Sequence, residues 1–314
     1  MPSHLSEKTP PSAIPYLVIM VGLLAVSTAS LLIRYAQQEA PSLVIAAFRL
    51  GIATLILVPA AWKRSRAEIM GLGGAQLKTL LVSGGFLALH FATWILSLEY
   101  TSVVQSVILV STTPLWVALV SPIFLKERLT PLIVVGLLVA LVGSVMVGSS
   151  DICRLGPSGL VCSNVGDFLK GRAFIGNLLA LAGAWGAAGY VLIGRKVRQD
   201  LSLLSYIVLV YGVAAVCLLA GVAAAGYPMT GYSSKTYLLF AALALIPQIL
   251  GHSSFNWSLR YLPATFVSVS MLGEPIGTSI LAMIFLGEKL SGLVLVGGVL
   301  IGLGVYLTSH SEEA

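Results

Sequence analysis

Ten apolar runs, separated by short polar turns, make up most of the chain. They fall near 15–33, 43–62, 78–97, 103–124, 130–148, 173–194, 203–224, 236–257, 264–286 and 292–309. Each is close to the ~20 residues that an α-helix needs to cross a bilayer. Residues 1–14 form a polar, proline-bearing tail and residues 310–314 a short acidic one. The pattern predicts an all-α, polytopic membrane protein with ten transmembrane helices. The first run is read as a retained helix rather than a removable signal. Only Lys8 precedes it, offset by Glu7, and its apolar stretch is long for a signal.

The runs repeat. Residues 97–148 align with residues 258–309 at a constant offset of 161, without a gap, and 13 of 52 positions are identical. Pro114 falls on Pro275, Ile123-Phe124-Leu125-x-Glu127-x-Leu129 on Ile284-Phe285-Leu286-x-Glu288-x-Leu290, and Gly136 and Gly143 on Gly297 and Gly304. Arg34 and Arg195 extend the same offset to the ends of helices one and six. The chain thus divides into a first repeat of five helices at 15–148, a connecting loop at 149–172, and a second repeat at 173–309. Five is odd, so the second copy enters the membrane from the opposite side. The expectation is an inverted repeat about a pseudo-two-fold axis in the membrane plane, an arrangement that recurs in transporters.

Composition agrees. The chain is 57% hydrophobic and 10% charged, where soluble domains are about a quarter charged. The net charge of +6 sits in short loops, with no basic patch interleaved with exposed aromatics, which excludes nucleic acid as a partner. With the N-terminus in the cytoplasm, eleven Lys and Arg fall on the inside and six on the outside. That asymmetry favours cytoplasmic N- and C-termini in a cell (inner) membrane. Cys153 and Cys162 bracket eight residues in the 149–172 loop on the outer side. They are either a disulfide or two free thiols.

Few residues bring chemistry into the apolar runs. Glu274 is the eleventh residue of helix nine, near the middle of the membrane, where a carboxylate is expensive and usually faces a bundle interior or a wet cavity. Pro275 beside it frees the carbonyl of Met271. Two readings stand: a group that exchanges a proton or binds a cation, or a packing hydrogen bond. Pro114 frees the carbonyl of Val110 in helix four, next to Thr113 but no acid, and reads as a kink. Arg49, some six residues into helix two, reads as a side chain that snorkels or packs, the alternative being a counter-charge for Glu274 or for a substrate carboxylate. His90, Trp94 and Ser97 share one face of helix three, and Phe255 and Asn256 lie near the matching positions of helix eight. With Thr113, Trp116, Trp185, Tyr190 and Glu274 they are candidates to line a substrate cavity, although interface anchoring and packing account for most membrane aromatics. No spacing supports a metal ligand set, no cofactor is implied, and no catalytic arrangement falls at membrane depth, so an enzyme reading lacks residues. Glycines such as Gly136, Gly143, Gly297 and Gly304 permit close helix packing and leave room for a homodimer face.

The two repeats, Gly273-Glu274-Pro275 followed by Ile284–Leu290, Thr113-Pro114 followed by Ile123–Leu129, and the pair Phe48-Arg49 resemble the EamA family of the drug/metabolite transporter superfamily. The resemblance covers about residues 15–308. It implies an exporter of small metabolites, amino acids or drugs across the inner membrane, with a cavity between the repeats lined mainly by helices one, three, four, six, eight and nine, and it does not say which solute. The expected function is a secondary transporter that works by alternating access, with a proton as candidate coupling ion. A passive channel or an uptake carrier of the same fold is the alternative.

Overall fold

The computed structural model describes residues 13–101, 103–149, 153–156, 159–162, 172–286 and 292–310. Among these, seven helices are long and apolar enough to cross a membrane: α1 (Ile14–Ala36), α2 (Ser42–Arg64), α3 (Gly74–Tyr100), α6 (within Arg172–Val197), α7 (Leu203–Ala224), α8 (Ser234–Ser258) and α9 (Ala264–Phe285). Three apolar stretches are shorter: the second piece of α4 (Val103–Val110, then Thr113–Phe124), and parts of α5 (Pro131–Ser149) and α10 (Gly292–His310). A two-stranded antiparallel hairpin, β1 (Cys153–Gly156) with β2 (Gly159–Cys162), lies between α5 and α6, and a disulfide joins its ends at Cys153 and Cys162.

Large apolar side chains point outward along the helices, Leu24, Leu55, Leu119, Ile123, Leu238 and Val299 among them. Water would not tolerate so continuous an apolar coat, whereas a bilayer requires it. The main core lies among α1, α2, α3, α7 and α8. A smaller one, around Ala118, Leu137, Ala140, Val269, Leu272 and Ile301, joins α4, α5, α9 and α10.

Helix ends are set by short-range chemistry and by acids from neighbouring segments. Pro41, in an extended conformation, starts α2. The Ser202 and Ser233 hydroxyls accept the first free N–H groups of α7 and α8. Glu39 accepts the Ser233 N–H at 3.0 Å, Glu68 that of Ser202 at 2.8 Å, and Glu99 that of Ser42 at 3.0 Å. Each carboxylate therefore meets the positive end of a helix to which it does not belong.

Several contacts recur at the 161-residue offset. Arg34 Nη1 donates to the carbonyl of Leu98 and Arg195 Nη1 to that of Leu259, both at 2.9 Å. Gln37 Nε2 donates to Ile95 and Arg198 Nε to Asn256, again matched positions. α5 and α10 run antiparallel and touch at backbone distance. A side-chain carbon added at Gly143 would lie 2.5 Å from the Gly297 carbonyl, and one at Gly136 would lie 2.7 Å from the Gly304 carbonyl. Position 136 thus meets the match of 143, and 143 the match of 136.

Candidate functional site

Three helices lose their regularity at one depth, and each break has a local cause. In α4 the helix stops at Val110 and restarts at Thr113. Pro114 has no N–H for the Val110 carbonyl, and the Thr113 hydroxyl donates to it instead, at 2.7 Å. In α9 a 3₁₀ turn, Met271–Gly273, precedes Glu274 and Pro275, again where proline withholds a donor. The breaks at 111–112 and 271–273 fall on matched positions. In α8 a π-helical stretch, Ala244–His252, surrounds Pro247. Widening the turn there re-aims the side chains that follow, and Gln248 and His252 are both buried.

Around these breaks lies a central cavity of about 30 Å³. In this conformation it is a narrow chamber. Arg49, His90, Trp94, Thr113, Pro114, His252 and Glu274 line it, together with Val26, Ala29 and residues of α4 and α9. His90 stacks on Trp94 with ring centroids 5.7 Å apart, and its Nδ1 is hydrogen-bonded to the Gly183 carbonyl. Arg49 is fully buried. Its guanidinium lies 4.2 Å from the Phe91 ring centroid, and Nε donates to Gln248 Oε1 at 2.8 Å. Arg49 and Glu274 share the chamber without making an ion pair. Among the described residues that contact is found only between Arg195 and Glu127.

The Arg195–Glu127 pair belongs to a knot at the helix ends on one face. Glu127 accepts from Arg195 Nε at 2.9 Å, from the Ser121 hydroxyl at 2.8 Å and from the Ala264 N–H at 3.3 Å. One carboxylate therefore ties the end of α4 to the end of α6 and the start of α9.

The profile of the EamA-like transporter family matches residues 13–149 and again residues 174–310. The chain belongs to this family. A protein of Archaeoglobus fulgidus described as an uncharacterized transporter is 23% identical over 301 residues, covering 95% of this chain and 98% of that one. Another so described, from Clostridium kluyveri, is 24% identical over 267 residues, covering 83% and 81%. A solved structure titled "Crystal structure of protein" superposes with a TM-score of 0.74 at 18% identity, covering 96% of this chain and 99% of that one. It shares the fold. The EamA chain is thus a multi-pass membrane protein of a transporter family.

Of the EamA chain's candidate cavity residues, the structure brings His90, Trp94, Thr113 and Glu274 together, with Pro114 beside them. Pro275, next to Glu274, supplies the α9 break from outside the lining. Of the readings open for Arg49, packing rather than snorkelling fits its place: α2 turns it into the core, and its contacts with Gln248 and Phe91 hold it there. The others lie elsewhere. Trp185 is 52% exposed on the outer surface and packs edge-on against Trp116. Ser97 is bonded to Ser106. Phe255 is buried against His252. Tyr190 and Asn256 belong to a separate buried polar cluster: Asn256 Nδ2 donates to the hydroxyls of Tyr190 and Tyr211, and Tyr211 is also bonded to Ser253. Of the second-half motif, Gly287, Glu288, Lys289 and Leu290 lie outside the described residues. Gln248 was not singled out in the sequence. A glutamine directly after a proline inside an apolar run was the signal available.

Proposed function

We propose that this EamA protein is a secondary transporter that exports a small organic solute across the inner membrane by alternating access. The central chamber, ringed by three helix breaks and lined by Glu274, Arg49, His90 and His252, is the observation that carries the reading. Breaks at matched depths supply hinges, and the charges supply a place for a polar solute and for a coupling proton at Glu274. The ten helices are read as two antiparallel five-helix repeats. The reciprocal contacts of Gly136 and Gly143 with Gly304 and Gly297 and the paired Arg34 and Arg195 bonds support that symmetry, because a two-fold axis makes contacts in such pairs. The basic-residue count argues for cytoplasmic termini, and the Cys153–Cys162 disulfide supports an outer position for the hairpin, since disulfides persist in oxidising compartments.

The test is counterflow in liposomes that carry the purified protein. Saturable, trans-stimulated uptake of a labelled solute is expected, and flux that rises linearly with concentration would remove the carrier reading. With an imposed pH gradient, Glu274→Gln should keep counterflow and lose gradient-driven accumulation. Accumulation that persists in the variant would remove the proton from the mechanism.

A further inference from the structure

We propose that Arg49 is the docking residue for a carboxylate on the transported solute; this rests on the transport reading above. Its Nη1 and Nη2 are buried, line no exposed surface and have no hydrogen-bond partner, while Nε is spent on Gln248. A guanidinium carries five N–H donors and cannot shed its charge, so leaving two of its nitrogens unpaired in an apolar interior is costly. Among the described residues, only the face of the Phe91 ring lies against the guanidinium, and a ring face pairs none of its N–H groups. The nearest acid lining the chamber, Glu274, is not within ion-pair distance.

The surroundings narrow the ligand. Trp94 Nε1 is also buried without a partner, so the unspent donors belong to two residues that line the same small space. A guanidinium edge presents a planar fork that matches a carboxylate in two parallel bonds. One cation, with an acid on the same wall, suits a single negative charge better than a phosphate dianion. Phe91 covers one face of the guanidinium at 4.2 Å, and the stacked His90 and Trp94 rings line the same chamber, which favours a flat apolar body behind the carboxylate. The chamber in this conformation takes only a head group, so the rest of the solute enters as the chamber widens.

The experiment uses the full-length protein in detergent and three isosteric probes: phenylacetate, phenylacetamide and 2-phenylethylamine. Tryptophan fluorescence and thermal shift report binding. Phenylacetate is expected to bind saturably and at least about tenfold more tightly than the amide or the amine. Arg49→Lys should remove that preference. Trp94→Phe, which keeps a ring and removes the N–H, should weaken phenylacetate severalfold with little change in melting temperature. Equal binding of the amide, preference for the amine, or no binding by any probe to the unmodified protein overturns the proposal, and the unmodified protein decides this even where Arg49→Lys fails to fold. Counterflow separates the two readings. Amine counterflow without carboxylate counterflow removes the Arg49 site and leaves a transporter. Selective carboxylate binding with no counterflow of any probe leaves the site and removes the transporter.

Discussion

Glu39, Glu68, Glu99 and Glu127 each accept a backbone N–H at the start of a helix other than their own. Single charges in a chain with so few are placed where a helix end exposes unpaired donors and a partial positive charge. Glu39 shows the consequence for acid stability. The Ser233 N–H, then the hydroxyls of Ser233 and Thr236, hold its carboxyl below the usual 4.5, and Lys235 adds to this. A lowered value in the folded state means that the contribution is fully present above pH 4.5 and is lost as the pH falls through the folded value. Thermal unfolding followed between about pH 6 and pH 3 should therefore show a downward slope that Glu39→Gln flattens. None of these four acids was legible as a cap in the sequence, because each partner lies at least 57 positions away.

At the scale of the helix, what was legible followed from local pattern. Apolar runs marked the helices to within a few residues at most ends, and Pro114 and Pro275 marked the breaks. What was not legible depends on which way a helix faces. The sequence put Trp185 and Trp94 on equal footing, yet α6 turns the first outward and α3 turns the second into the chamber. It put Arg49 near an interface by counting residues, whereas packing against α3 and α8 decides its burial. Likewise Pro247 warns of a distortion in α8 but does not say that the helix widens rather than bends. The α5–α10 crossing is the element most sensitive to volume. A branched side chain at Gly143 has backbone atoms of Gly297 and Ile301 at 2.5 and 2.9 Å from its first carbon. Gly143→Val should cost about 1–3 kcal/mol, read as a fall in melting temperature, whereas the same change at Gly51, which has nothing within 4 Å, should cost far less.

At the scale of the molecule, the knot around Glu127 joins the ends of three of the helices that line the chamber. In the alternating-access reading it breaks when the face that holds those ends opens. Glu127→Gln removes the charge of a half-buried pair and should shift the population toward the open form. A cysteine introduced at Asn256, on an otherwise cysteine-free background, should then react faster with a membrane-impermeant thiol reagent applied from the cytoplasmic side, by severalfold. Unchanged reactivity would show that the knot only holds packing. The hairpin offers a check on orientation: Cys153 and Cys162 should become labelled by the same reagent from outside the cell after reduction, and stay protected before it.

The buried cluster of Tyr190, Tyr206, Tyr211, Ser253 and Asn256 has, at the matched positions of the first half, Ala29, Ile45, Leu50, Ala92 and Ile95. Two copies that share their skeleton differ here in how readily their walls accept water. On the alternating-access reading proposed above, the inward and outward end states would then differ in energy, because the second half's wall offers hydrogen-bonding groups to water where the first half's is apolar. Such a machine would idle on one side of its cycle, and whatever it carries would have to supply the difference to bring it across.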